Sequence, residues 1–259
     1  MEYPESYKRI LHKLGFYQYQ AGLISRYARQ KGEWDNHLGE CRKFILDAAG
    51  IIKPRRVTVL GSGWLLDFPL VEIIDMVDSL ILIDIVHPPE VRKQLSGIAK
   101  VTLIEDDVTG GLVDEVWQKA GKIPVFKKLH SLNEINVPEF SLNDSDPGMV
   151  VSLNILSQLD ALPVRLLKRK AKVTTDEINR FRARIQKKHI DFLSRHNSVL
   201  ITDVSEIFTE RDGDSYEEQT LLASLPPSRL RREWTWNFDL TNTDFYGKKS
   251  VLKVVAIVL

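Results

Sequence analysis

Val57-Thr58-Val59-Leu60-Gly61-Ser62-Gly63 is the stretch on which the reading of this chain turns. Four apolar or β-branched residues suit a short buried strand. The two glycines that end it permit a turn in which backbone amides approach a ligand closely. Helix-like sequence begins at Asp67, so the turn would lie beside a helix N-terminus, whose partial positive charge favours anions. Leu80-Ile81-Leu82-Ile83-Asp84 is a second run of the same kind, and it closes on a carboxylate 21 positions after Gly63.

Working outward, further buried-strand runs occur at Val101-Thr102-Leu103-Ile104, Met149-Val150-Val151-Ser152-Leu153-Asn154 and Ser198-Val199-Leu200-Ile201-Thr202-Asp203. Helical segments separate most of them, which is the pattern of a parallel sheet wound with crossover helices. The end breaks the rhythm. Glu233 to Phe238 alternates, Val251 to Val258 is apolar, and only Asp239 to Ser250 lies between them. That is too short for a crossover helix and predicts an antiparallel hairpin. The fold class expected is α/β: a doubly wound, mostly parallel seven-stranded sheet ending in that hairpin.

Before the first strand, Tyr7, Ile10, Leu11, Leu14, Tyr17, Ala21, Ile24 and Ala28 recur at helical spacing, with Gly15 and Gly22 as points where the helix could break. A second amphipathic stretch runs from Cys41 to Ala49, and Pro54 closes it. These helices predict an N-terminal cap over residues 1–53 and a main domain over 54–259, interrupted by an insertion at about 205–232.

The 259 residues are 43% hydrophobic and 27% charged, and 36 Lys plus Arg against 35 Asp plus Glu leave a net charge of +1. That balance argues against a generic polyanion binder. A lone cysteine, Cys41, excludes an internal disulfide framework, a cysteine-rich zinc site and an iron–sulfur cluster within one chain. No metal is expected. The N-terminal residues lack a secretory pattern, and no run approaches a membrane span, so the expectation is a cytoplasmic chain with no membrane partner.

The chemistry follows from the first two strands. A carboxylate at Asp84 suits hydrogen bonds from both ribose hydroxyls of a nucleoside ligand. The dinucleotide fingerprint needs a glycine where this chain has Leu66, and bulky Trp64, Leu65 and Leu66 leave less room for a pyrophosphate across the turn. A nucleoside cofactor carrying an amino-acid carboxylate in place of phosphate fits better, and that ligand is S-adenosylmethionine.

In these residues the chain resembles a class I S-adenosylmethionine-dependent methyltransferase. The resemblance rests on Val57 to Pro69, Asp84, Asp107, the Ser152 to Leu159 exit of the fourth strand, and the terminal hairpin. It implies that Gly61, Ser62, Gly63 and Trp64 line the methionine end of the cofactor. Asp84 and Ile85 would meet the ribose, and Asp106 or Asp107, with Val108, the adenine. Asn154 to Leu159 would form the floor beneath the transferring methyl, and by position Asn154, Ser157 and Gln158 sit where an acceptor would be oriented. Two positions depart from the family pattern: Val59 stands where an acidic residue is usual, and Leu65 where a third glycine is usual.

The exit of the fourth strand narrows the reaction. Asn154-Ile155-Leu156-Ser157 lacks the Pro-Pro-aromatic run common in methyltransferases of nucleobase amines, and Cys41 precedes the glycine turn instead of lying in the catalytic domain. Direct transfer to oxygen, nitrogen or carbon of a small molecule remains, and alignment can supply most of its catalysis. The other readings are an RNA methyltransferase using the basic 165–195 stretch, a catalytically silent cofactor-binding or scaffold homologue, and a nicotinamide-dependent oxidoreductase. That basic stretch holds eleven Lys or Arg against three Asp or Glu, and is read as a solvated surface balanced by the acidic run Asp203 to Glu218. His87 reads as a loop residue before a proline turn and His189 as a satisfied histidine on an apolar helix face. Trp234 and Trp236 share one strand face by period two, so they pack or line a cleft together.

Overall fold

The computed structural model describes residues 3–124, 126–142, 146–241 and 247–259. Five strands, β1 (Arg56–Leu60), β2 (Ser79–Asp84), β3 (Val101–Glu105), β4 (Met149–Leu153) and β5 (Ser198–Thr209), pair in parallel. A short β6 (Ser215–Gln219) pairs with β5, and β7 (Leu230–Asp239) and β8 (Lys249–Val258) form the antiparallel hairpin. The main path runs β3-β2-β1-β4-β5-β8-β7. This is the doubly wound, mostly parallel sheet that the sequence predicts. Of the link between β7 and β8, residues 242–246 lie outside the described residues.

The sheet has eight strands, not seven. The additional β6 falls inside the stretch read as an insertion. Its five residues are all exposed and carry no apolar period, so hydrophobic patterning could not reveal it. It forms because β5 continues past a register shift at Asp203/Ser205 to Thr209, giving a backbone edge on which Ser215–Gln219 folds back.

Period two decides which residues face which layer. Val57 and Val59 of β1, Met149, Val151 and Leu153 of β4, and Leu252, Val254 and Ala256 of β8 join one apolar cluster. The alternate residues Leu60, Val150, Val255 and Ile257 join another on the opposite face. Three helices cover the first face: α3 (Asp35–Ile52), α4 (Leu70–Met76) and α5 (Pro89–Leu95). Phe44, Ile45 and Ala48 of α3 are fully buried in that cluster, so this N-terminal helix packs directly on the sheet. On the other face α8 (Thr175–Leu193) contributes Ile190, Phe192 and Leu193.

The remaining helices close the upper rim of the sheet. The first helical stripe breaks at Gly15, between α1 (Glu5–Leu14) and α2 (Phe16–Gln30), while Gly22 stays inside α2. Leu11 and Leu14 of α1 pack with α6 (Leu112–Val116) and α7 (Ala161–Lys170). Among the described residues, no helix is long and apolar enough to cross a membrane.

Candidate functional site

The chain leaves β1 for β2 and β3, then returns to the other side of β1 as β4. Crossovers therefore depart in opposite directions above β1 and β4, and such switch points open a crevice at the carboxyl ends of the strands. Here it is a cleft of about 1150 Å³, counted to its open mouth, roofed by Phe16, Tyr19, Gln20 and Leu23 of α2.

The floor is the turn after β1. Gly61 has φ +78°, and a Cβ there would sit 2.0 Å from Ile155 Cγ2, so only glycine fits between the β1 and β4 exits. Gly63 N–H donates to Asp84 Oδ2 at 2.8 Å, tying the turn to the end of β2. Ser62 contacts His87 Nδ1 at 3.5 Å, and His87 Nε2 donates to the Ile104 carbonyl at 3.0 Å. His87 is thus a loop residue, as its sequence context suggests, but a buried one that supports the turn. Leu65, where the family's third glycine would stand, keeps a left-handed φ of +58°. Its side chain is buried in the apolar cluster with Phe68 and Phe44, which offsets the backbone strain.

Asp84 is buried, and desolvation raises its pKa while the Gly63 N–H opposes the rise. Its Oδ1 also accepts from Val86 N–H at 3.3 Å and from the Gln20 amide at 3.4 Å. Asp107 lies at the next strand end, likewise raised by burial against hydrogen bonds from Thr109 and Val113. Thr109 N–H donates to it at 3.0 Å, Val113 N–H at 3.1 Å, and the Tyr7 hydroxyl at 3.5 Å.

Of the residues singled out in the sequence, the cleft brings together Gly61, Ser62, Gly63, Trp64, Asp84, Ile85, Asp107, Val108, Asn154 and Gln158. Two do not belong to it. Asp106 turns aside and accepts from the Asp107 N–H at 2.8 Å, which leaves Asp107 as the carboxylate that reaches the cleft. Ser157 donates to buried Asp203 on β5, and this bond holds it outside the cleft lining. Gln158 donates to the Asn154 carbonyl at 2.7 Å and accepts from the Tyr19 hydroxyl at 3.2 Å.

Asn154 ends β4 with φ +53°, a conformation asparagine tolerates better than most residues. Its Nδ2 donates to Asp67 Oδ2 at 2.7 Å. His37, Cys41 and Asp67 gather around it, and sequence reading missed His37 and Asp67 altogether. Cys41 was placed before the glycine turn and apart from the site, yet its Sγ lies 3.6 Å from Asn154 Nδ2, because α3 packs on the sheet beside β4.

The donor atoms of His37, Cys41 and Asp67 lie within 4.8 Å of one another, a spacing that could hold a metal. The surroundings of His37 decide otherwise. Trp234 Nε1, which can only donate, gives its hydrogen to His37 Nδ1 at 3.0 Å. The imidazole proton is then on Nε2, facing Cys41 Sγ at 3.5 Å, and no lone pair is left there for a metal. Burial holds His37 neutral, with its pKa pushed down to about 3. Asn154 Nδ2, 3.2 Å from the same Nε2, is therefore a contact of two N–H groups.

Both tryptophans of β7 serve this wall. Trp236 stacks on His37 with ring centroids 3.8 Å apart and meets Trp34 edge-on at 4.8 Å. Trp236 lines the cleft with Trp34, whereas Trp234 packs against His37 outside that lining, so the two residues of one strand face divide between the roles. His189 is buried on the apolar face of α8, 2.9 Å from Ser152 Oγ, with its pKa lowered to about 4 by burial. Part of the basic 165–195 stretch is paired among the described residues, and of the acidic run 203–218 Asp203 lies close enough to Arg182 to be acted on by its charge. Arg182 pairs with Asp160, Lys187 with Asp191 and Lys188 with Glu139, while Glu210 and Glu217 hold Lys248 and Lys253.

No family model matches the chain, and no curated protein is similar to it in sequence. Among solved structures it is similar to a Burkholderia thailandensis 1,6-didemethyltoxoflavin-N1-methyltransferase with bound 1,6-didemethyltoxoflavin and S-adenosylhomocysteine. The identity is 11%, over 99% of this chain and 91% of that one, with a TM-score of 0.39. A DhpI–SAH complex is 11% identical over 96% and 97% of the two chains, at a TM-score of 0.36. The methyltransferase domain of bacterial CtHen1-CN is 10% identical over 86% and 100%, at 0.35. Likenesses this distant do not bear on function.

Proposed function

We propose that this chain is an S-adenosylmethionine-dependent methyltransferase acting on a small-molecule acceptor. One observation carries the reading. The glycine turn, the Asp84 carboxylate and the Asp107-Val108 strand end, each a candidate from sequence alone, line a single cleft at the switch point of the sheet.

The residues present fit that cofactor. Gly61 keeps the floor of the turn free of a side chain, and a Cβ on Gly63 would meet only the Gly61 carbonyl, at 4.0 Å. Asp84 Oδ2 accepts from Gly63 N–H, and a carboxylate oxygen has capacity for a ribose hydroxyl besides. Asp107 and Val108 would meet the base, and Gly61 to Trp64 the amino-acid end. When bound, the cofactor supplies an electrophilic methyl group on a sulfonium.

The chain's own part is alignment and exclusion of water. The α2 roof covers the cleft, with the Trp64 indole fastened to the Gln20 carbonyl at 2.9 Å. Asn154 and Gln158 lie on the floor, and Gln158 is fixed by bonds to Asn154 and Tyr19. Trp34, Leu38 and Trp236 form an apolar wall suited to a small planar acceptor. Holding acceptor and methyl donor in line supplies most of what direct displacement needs.

Calorimetric titration tests the reading. S-adenosylmethionine and S-adenosylhomocysteine should each bind one per chain, and NAD should not. Binding of NAD alone, or of none of the three, would overturn it.

A further inference from the structure

Residues 6–18, 117–130 and 161–173 hold twelve Lys or Arg and not one of the chain's 35 Asp and Glu. Far apart in sequence, they meet in the fold. α1, α7 and the turn Trp117–Gly121 that continues α6 share one apolar cluster through Leu11, Leu14, Ala120, Val164 and Leu167. Hydrogen bonds fix the joins. Arg165 donates to the Leu14 carbonyl at 2.6 Å, and Lys170 Nζ to the Ile123 carbonyl at 3.0 Å. Leu129 pairs its backbone with Lys170 and Lys172, and Lys128 reaches the Arg169 carbonyl, so the 127–130 run lies beside the end of α7.

Ten of the twelve cations are exposed, and among the described residues only Lys8 of them is ion-paired, with Glu5. Acids of the adjoining elements serve other groups. Asp114 accepts from Gln118, Glu115 from the Asn136 N–H and Glu177 from the Leu132 N–H. The basic sequence on α8 differs, since Arg182, Lys187 and Lys188 there are paired. A net charge of +1 conceals this face, because every acid lies elsewhere in the chain. Like charges gathered without counter-charges repel one another, and an anionic partner removes that cost.

Aromatic rings interleave with the charges. Phe126 is 91% exposed beside Lys127, and Lys13 Nζ stands 5.4 Å from the centre of the Trp117 ring. Cations that follow a phosphate backbone, together with rings on which bases stack, are the means of holding single-stranded nucleic acid. We infer that this face binds a single strand of nucleic acid, its phosphates on the cations of α1, α7 and 117–130 and a base on Phe126. A duplex keeps its base faces hidden, and an acidic peptide leaves the rings without a stacking partner. None of the twelve cations lines the cleft, so the surface does not depend on the cofactor reading.

Fluorescence anisotropy with labelled oligouridylate and oligothymidylate tests the face, with polyglutamate and phosphatidylserine vesicles as competitors at equal charge. A strand that neutralises about four to six cations should give a slope of about −3 to −4 in log K against log salt. Lys127→Ala, Lys168→Ala and Lys172→Ala together should reduce that slope by about 2; all three residues are exposed, and thermal melts check that the variant folds. Phe126→Ala should lose about fivefold or more with the slope unchanged. Lys187→Ala, on the paired face of α8, should bind as the parent does. No oligonucleotide binding at low salt, an unchanged slope in the folded triple variant, or equal displacement by polyglutamate or by vesicles would overturn the inference.

Discussion

Replacing Asp84 separates what this carboxylate does for the fold from what it does for the ligand. It accepts from Gly63 N–H at 2.8 Å and Val86 N–H at 3.3 Å, so Asp84→Ala would leave two amides at the turn without their acceptor. Buried unpaired groups cost about 1–3 kcal/mol each, partly offset by removing a desolvated anion. Asp84→Asn is the cleaner change: its amide oxygen can keep Gly63, and the other side, which takes Val86 N–H and the Gln20 amide, then faces them with an N–H₂ group. Stability by urea denaturation should fall by about 1–3 kcal/mol, with the chain still folded. Ribose hydroxyls that donate to a carboxylate contribute about 1.5–3 kcal/mol, which is roughly 10- to 150-fold in Kd. Calorimetry with S-adenosylhomocysteine on the folded variant reads that loss directly. A Kd within about twofold of the parent, measured on folded Asp84→Asn, would show that Asp84 serves the turn and not a ribose.

Three further outcomes follow from the packing. His189 is held neutral with its pKa lowered to about 4, so its stabilising effect is whole above about pH 6.5 and is lost as pH falls from there toward 4. His189→Gln should therefore gain about 2 kcal/mol relative to the parent between pH 7 and pH 5 in denaturant melts, and a pH-independent difference would contradict the assignment. Leu65→Gly would relieve about 1–2 kcal/mol of left-handed strain but forfeit a buried leucine worth about 2–5 kcal/mol, so the thermal midpoint should fall; a rise would mean that strain dominates. Gly61→Ala should destabilise by about 2–5 kcal/mol, from positive φ and the collision with Ile155, and Gly61→Ala with Ile155→Ala should recover part of it. Strict additivity of the two changes would argue against that contact.

The parallel strands were legible because each is a short apolar run, four of them closing on glycine or acid and β4 on Asn154, and burial within the sheet favours such runs. The hairpin was legible from Asp239 to Ser250, a link too short for a helix. β6 was hidden because Ser215 to Gln219 is exposed on every residue, so its pairing depends on the backbone edge of β5 alone. Among site residues, glycines and strand-end acids announce themselves locally. His37 and Asp67 do not: one looks like a polar residue on an amphipathic helix, the other like a loop acid. Their meeting at Asn154 depends on α3 lying over β4, a tertiary fact with no local signal. The two candidates outside the cleft lining show the limit from the other side. Asp106 and Ser157 each sit one step along the chain from a cleft residue, and at a strand exit one step changes the direction of the side chain.

The central claim is that an adenosyl cofactor occupies the cleft above β1 and β4. Amide chemical-shift mapping of the isotope-labelled protein during titration with S-adenosylhomocysteine tests it most directly. Shifts should concentrate at Gly61 to Trp64, Asp84 to Ile85 and Asp107 to Val108, with the α2 roof responding. Saturable shifts confined to another surface, or none at all, would contradict the account.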